Sequence, residues 1–273
     1  MARIPTFGFA GYIDTLEAFD QYTIRGGFPQ VVMKQVDSVE YLSTLWESVV
    51  LKDVVRRHKV RNVAGLNDIY GLLLNAVSSK FNYDSLGRAQ GDGISAPTIK
   101  KFMQYAREAY LLVELEQFHF SPRKRMKSDR KLYSYDNGFI CAKRAAISHD
   151  HGRLLENLVF GELLRRGARP NVDLFYYVTS TGHEVDFIIR STGVTQELIQ
   201  VAWVMSEQKT RERELRALRM AARELNLSHV RILTHNHSEV IEDDGITIKI
   251  QPVREWMLSS KCSQGHNPWI YPL

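Results

Sequence analysis

Apolar positions recur along this chain with two different periods, and the change from one to the other divides it. In "SVEYLSTLWESVVLKDVVRRH", Leu42, Leu45, Trp46, Val49 and Val50 fall at i, i+3, i+4 spacing, which predicts a helix with one buried stripe. Leu66, Ile69, Tyr70, Leu73, Leu74 and Val77 repeat that spacing and predict a second helix. A short helix is expected over Tyr83–Ala89, then a turn at Gly91-Asp92-Gly93 and a further helix. Ser95 is placed to cap that helix and Pro97 lies in its first turn, where a missing N–H costs nothing. Its periodicity turns Ile99, Phe102, Met103 and Ala106 inward and Lys100, Lys101, Gln104 and Arg107 outward. "LLVELEQFHF", the basic loop "SPRKRMKSDRK" and "LYSYD" then predict strand, loop and strand, giving the unit the outline of a winged helix.

Beyond "NGFICAKRAAISHDHG" the period shortens. A helix, "RLLENLVFGELLRRG", precedes the strands "DLFYYVT", "EVDFIIR" and "ELIQVAW". A long polar helix, "SEQKTRERELRALRMAARELN", leads to "HVRILTH", and "GITIKIQPV" with a short helical "REWML" closes the pattern. Strands mixed with helices predict an α/β (α+β) sheet domain. The expected organisation is an N-terminal segment over 1–37 with a turn at Gly26-Gly27, and a helical winged-helix domain over 38–147. An α/β domain over 148–258 and a tail without periodicity over 259–273 complete it.

Composition narrows the function classes. No apolar run approaches the roughly 18–20 residues that cross a bilayer, and the first residues lack the basic start and apolar centre of a signal peptide. With only Cys141 and Cys262, a disulfide framework is not expected and a reducing cytoplasm is. A net charge of +5 is equally consistent with simple solubility and with a polyanionic partner. No segment has a glycine-rich loop followed by Lys-Ser/Thr, so no ATP site is expected in this chain. No G-x-S-x-G supports a serine hydrolase. His149-x-His151, His235-x-His237 and Cys262 with His266 lack zinc-like partners and are expected to be ordinary histidines.

Two constellations carry chemistry. Glu156 falls on a predicted helix, Asp186 in one strand and Gln200 in the next, and side-chain alternation puts Asp186 and Gln200 on faces that can converge. That order resembles the core of the PD-(D/E)XK nuclease-like fold, in which carboxylates hold Mg²⁺ and a Lys steadies the attacked phosphate. The resemblance makes Glu156, Asp186 and Gln200 the catalytic-core positions and Glu156 and Asp186 the metal ligands, Mg²⁺ being the cofactor implied. The chain departs from the pattern twice. Gln200 stands where a carboxylate is usual and Ala202 where a Lys is, so a degenerate, non-cutting core is expected. The second constellation is basic: Lys52 to Arg61, then Lys100, Lys101 and Arg107, then Arg123, Lys124, Arg125, Lys127, Arg130 and Lys131. Such clusters neutralise phosphates, although most charge runs are solvated faces. Lys100, Lys101, Arg107, Arg123, Lys124, Arg125 and Lys127 are the candidate DNA contacts.

Read in order, "RGGFPQVV", "VVLKDVVRRHKVRN", "LGRAQGDGISAPTIKKFMQYAREAYLL", "KLYSYDNGFI", "GRLLENLVFGELLRRG", "FYYVTSTGHEVDFII" and "ELIQVAW" resemble the C-terminal region of archaeal and bacterial AAA-type P-loop ATPases. That region combines a winged-helix segment with a restriction-endonuclease-like domain of unknown function. The family's ATPase half has no counterpart in this chain. The resemblance implies a DNA-binding accessory module of an AAA-type ATPase system, with double-stranded DNA and a separately encoded ATPase as partners. A metal-dependent DNA endonuclease and a protein-docking platform without a nucleic-acid role are the competing functions.

Overall fold

The computed structural model describes residues 16–33, 36–89, 94–143 and 150–259. In chain order the helices are α1 (Leu16–Arg25), α2 (Pro29–Val32), α3 (Ser38–Val49), α4 (Val63–Asn75), α5 (Tyr83–Ala89) and α6 (Ala96–Glu108). They continue with α7 (Pro122–Lys127), α8 (Asn137–Lys143), α9 (His151–Arg165), α10 (Gln208–Leu225) and α11 (Val253–Leu258). The strands are β1 (Lys80–Phe81), β2 (Leu112–Glu116), β3 (Arg130–Ser134), β4 (Leu174–Val178), β5 (Glu184–Ser191), β6 (Val194–Ala202), β7 (His229–Thr234), β8 (Glu239–Asp243) and β9 (Ile246–Pro252). The protein is thus a mixed α+β structure. Its described residues form two compact units, one within Met1–Glu114 and Asp129–Leu158, the other within Leu115–Ser128 and Val159–Leu273.

The first unit is mainly helical. Asp37 caps α3 by accepting from the Glu40 N–H at 2.9 Å, and Asn62 caps α4 through the Gly65 N–H at 2.9 Å. α3 runs on into a π-helical stretch, Val50–Arg56, which keeps Val50 and Val54 in the core. The apolar stripes of α3, α4 and α6 bury Leu42, Trp46, Leu66, Ile69, Leu73, Ile99 and Phe102 in one cluster. Tyr70, fully buried there, satisfies its hydroxyl by donating to the Phe102 carbonyl at 2.8 Å. Three strands in the order β1-β3-β2 complete the unit.

A polar knot ties its ends together. Gly26 adopts φ +76°, and a Cβ there would lie 1.7 Å from Asp136 Oδ1, so only glycine fits. Asp136 accepts from the N–H groups of Gly27 at 2.9 Å and Gly138 at 2.7 Å. Beside it, Asn137 donates to the carbonyls of Thr23 and Leu154 at 2.7 and 2.9 Å, and Asn157 donates to Asn137 Oδ1 at 2.7 Å. These groups are buried, and their mutual hydrogen bonds offset the desolvation that burial costs.

The second unit is a six-stranded sheet in the order β4-β5-β6-β7-β9-β8. β4, β5 and β6 form an antiparallel meander, β6/β7 and β7/β9 pair parallel, and β8 returns antiparallel at the edge. α10 makes the crossover that parallel β6 and β7 require. Leu215, Leu218, Ala221 and Ala222 line its buried stripe, and Asn226 ends it in the left-handed conformation.

Several elements differ from the sequence expectation. The basic segment expected as a loop contains the helix α7. Ser121 precedes Pro122 at its first position, and Arg, Lys and Met are good helix formers. The N-terminal segment holds α1, whose Phe19, Tyr22 and Thr23 are buried. β8 is an added edge strand, half exposed and rich in acidic residues, which blunts pairing with another chain. The Gly91–Gly93 turn, His149, Cys262, His266 and the tail from 260 lie outside the described residues.

Candidate functional site

Glu156 lies in the first unit, on α9, and its carboxylate is already engaged. Lys131 Nζ, from β3, sits 2.8 Å from Glu156 Oε1, and the Tyr133 hydroxyl donates to the same oxygen at 2.6 Å. The Lys131 side chain is only 2% exposed. A buried ammonium needs a carboxylate, so this is a desolvated, hydrogen-bonded ion pair that joins β3 to α9. β3 presents Lys131 and Tyr133 on the same face because strand side chains repeat every second residue.

Asp186 and Gln200 lie in the second unit, one step beyond the Phe187–Ile199 register pair of β5 and β6. The Asp186 N–H donates to Gln200 Oε1 at 3.2 Å, and Asp186 Oδ2 accepts from the Val201 N–H at 2.9 Å. Both residues are buried. The convergence expected from alternation is therefore present, with the Gln200 oxygen spent on backbone.

A carboxylate that the sequence analysis does not single out completes this cluster. Glu214 of α10 is 5% exposed, hydrogen-bonds Gln200, and accepts from Arg213 Nε at 3.0 Å. Burial pushes its carboxyl above the ordinary carboxylate value, and the neighbouring Asp186 charge pushes the same way against Arg213 and Gln200. Its hydrogen bond to Glu214 in turn holds the Arg213 guanidinium more firmly charged. The signal was legible: Glu214, Ala217, Leu218 and Ala221 share the i, i+3, i+4, i+7 stripe, which puts a carboxylate in an apolar row. Lys209, which could have stood in for the missing Lys, is exposed at the start of α10. Ala202 is buried in the apolar cluster under α10.

The chemistry of this cluster is self-contained. Asp186 and Glu214 are the two carboxylates that could approach a divalent cation, with Gln200 as a neutral oxygen. Arg213 offsets their charge, and burial favours the protonated form of Glu214. Hard divalent cations need several anionic or well-aimed oxygens. Among the described residues, no group of three or more His, Cys, Asp or Glu is arranged to hold a metal ion. The remaining histidine candidates also have other neighbours: His235 stacks on Trp203, and His237 sits 3.1 Å from Glu239.

The basic candidates divide between the units. In the first, Lys100, Lys101 and Arg107 are all exposed on α6, opposite its buried Ile99, Phe102, Met103 and Ala106. Lys52, Arg56 and Arg57, on or next to the π-helical stretch, are exposed too. That stretch is pinned to α6 by His58, whose ring stacks on Tyr105 at 3.8 Å and whose Nε2 lies 3.3 Å from Glu108. In the second unit α7 exposes Arg123, Lys124 and Lys127, while Arg125 turns toward Glu116 at 3.7 Å and over the Phe175 ring.

Two family models match the chain, and both describe domains of unknown function: DUF8612 over residues 16–149 and DUF4143 over residues 151–256. An uncharacterized protein of Methanocaldococcus jannaschii is 30% identical over 257 residues, covering 90% of this chain and 56% of its own. An uncharacterized protein of Haemophilus influenzae is 28% identical over 253 residues, covering 88% and 58%. The chain therefore spans a little over half the length of these relatives. A solved half-complex of Thermococcus gammatolerans McrB AAA+ hexamers with bound McrC matches at 13% identity and a TM-score of 0.29, over 68% of this chain and 48% of that one. No helix among the described residues is long and apolar enough to cross a membrane.

Proposed function

We propose that the chain is a duplex-DNA-binding accessory module of an AAA-type ATPase system, whose nuclease-like core does not cut. The observation that carries DNA binding is the outward row Lys100, Lys101 and Arg107 on α6, beside the exposed Lys52, Arg56 and Arg57 of a neighbouring stretch fixed to it by His58. Six cations on two joined elements suit a phosphate backbone, and the buried stripe of α6 holds its outward face rigid. The winged-helix outline expected from the sequence would give α6 the role of a helix entering a major groove. Loss of cleavage is supported by the engaged carboxylates of Glu156 and Asp186, the amide at Gln200 and the methyl at Ala202. The ATPase partner is supported by the ordered motif resemblance, and the extra length of the relatives leaves room for such a domain.

Fluorescence anisotropy of a labelled duplex across a salt series tests the binding. The wild type should bind with a steep dependence on salt. The triple variant Lys100→Ala, Lys101→Ala, Arg107→Ala should lower the slope by about 0.9 per phosphate contact removed. An unchanged slope would take α6 out of the interface.

A further inference from the structure

The short helix α7 and the segment entering it display two large apolar side chains among cations. Phe120 is 77% exposed and Met126 is 76% exposed, in a unit where Phe118, Phe160, Phe175 and Phe187 are all buried. A lone exposed apolar residue means little, but Phe120 is held in place rather than simply exposed. Its ring meets buried Phe118 edge-on, with centroids 5.0 Å apart and planes at 76°. The Arg190 guanidinium lies 4.0 Å from the Phe118 centroid and 5.4 Å from that of Phe120. Arg190 is itself tied into the β5–β6 hairpin, where it donates to the Gly193 carbonyl. Further along the chain α7 exposes Arg123, Lys124 and Lys127. The local field is positive enough that Lys124, after burial, lowers the tendency of His119 to take a proton.

We propose that Phe120 is a stacking platform for an unpaired base, and that Phe120, Arg190 and the exposed cations of α7 form a single-stranded nucleic-acid site in the second unit. An oriented ring with open π surface beside phosphate-neutralising cations is what sequence-tolerant strand binding uses, because every base offers a flat face. Arg190 fits the same chemistry, since a guanidinium stacks on aromatic planes. An acidic protein segment would also meet the cations. Its aliphatic anchors, however, need a pocket to fill, whereas Phe120 projects from the surface. This site shares its ligand class with the duplex surface of α6 but none of its residues.

The test uses the full chain and two probes in parallel, a labelled oligo-dT strand and a labelled duplex. Phe120→Ala should weaken oligo-dT binding on the order of tenfold or more, the loss expected for one base–aromatic stack. Phe120→Trp should keep the affinity, and oligo-dT should quench its added emission relative to the wild type. Duplex binding and the urea midpoint should stay at wild-type values in both variants. If the wild type fails to bind oligo-dT, or Phe120→Ala binds it as tightly, the single-strand site is refuted. Binding of polyglutamate that depends on Phe120, without binding of oligo-dT, would assign the patch to an acidic protein and equally refute it. Phe120-dependent binding of oligo-dT without any duplex binding would uphold this site and overturn the duplex-binding function instead.

Discussion

Lys131 Nζ lies 2.8 Å from Glu156 Oε1, with the lysine side chain only 2% exposed, so the carboxylate that resembles a nuclease ligand is half of a buried ion pair. Tyr133 donates to the same oxygen. Removing one partner of such a pair strands the other charge in a low-dielectric site, which costs about 3–5 kcal/mol. Lys131→Met should therefore lower the urea midpoint by a corresponding amount. Lys131→Met combined with Glu156→Gln should recover much of the loss, because no unpaired charge remains. A Lys131→Met variant as stable as the wild type would show that the pair contributes nothing.

Gly26 and Gly245 offer a matched comparison, since both adopt φ +76°. A Cβ at Gly245 would meet nothing within 4 Å, so Gly245→Ala should cost only the left-handed strain of about 1–2 kcal/mol. Gly26→Ala adds a collision with Asp136 and loosens the bonds to Gly27 and Gly138, and should be clearly the worse of the two. Equal losses in denaturant titrations would remove the Asp136 knot from the account.

Glu214 makes stability depend on pH. Its folded carboxyl is raised above the ordinary 4.5, chiefly by burial, so the folded state holds its proton more tightly than the unfolded chain. Stability linked to this group is then greatest below the ordinary carboxylate value and falls as pH rises through the raised value. Glu214→Gln removes that dependence and should gain on the wild type as pH climbs above 4.5. Urea midpoints at several pH values check this. A difference between variant and wild type that stays flat with pH would contradict it.

Gln200→Glu would place a third carboxyl beside Asp186 and Glu214, where Gln200 now donates to Glu214 and accepts from the Asp186 N–H. Like charges in a buried site repel, and a loss of about 3 kcal/mol is expected without metal. Three oxygens of this kind also make a better cation site, so Mn²⁺ should restore part of the melting temperature in this variant and none in the wild type. A wild type that Mn²⁺ stabilises as strongly would mean that the core already holds a metal.

How legible this molecule is depends on how local the causes are. α6 can be read from its own residues, because Pro97, the inward Ile99 and Phe102 and the outward Lys100 and Lys101 each act within a few positions. Ser95 stands at its N-cap as expected, but its hydroxyl meets Thr98 Oγ1 at 3.0 Å and caps no backbone N–H. The pairing of Asp186 with Gln200 is legible too, since alternation along two adjacent strands decides it. The partner of Glu156 is not, because Lys131 comes from a distant strand and looks like one more cation in a basic run. α1 escapes notice because its buried stripe, Phe19, Tyr22 and Thr23, spans little more than one turn and sits next to the Gly26-Gly27 and Pro29 breakers. α7 hides in a charge run that suggests a loop, although Pro122 after Ser121 is a helix start. Glu214 is legible in principle, because a carboxylate in the apolar row of α10 needs polar company.

The central claim is that this chain holds DNA and leaves it whole. Incubation with supercoiled plasmid and Mn²⁺, followed by electrophoresis at low and at raised salt, tests it most directly. The expected result is retarded but uncut plasmid at low salt, with the retardation lost as salt rises. Plasmid that is nicked or linearised by the wild type and spared by Asp186→Ala, or that migrates unretarded at low salt, would contradict it.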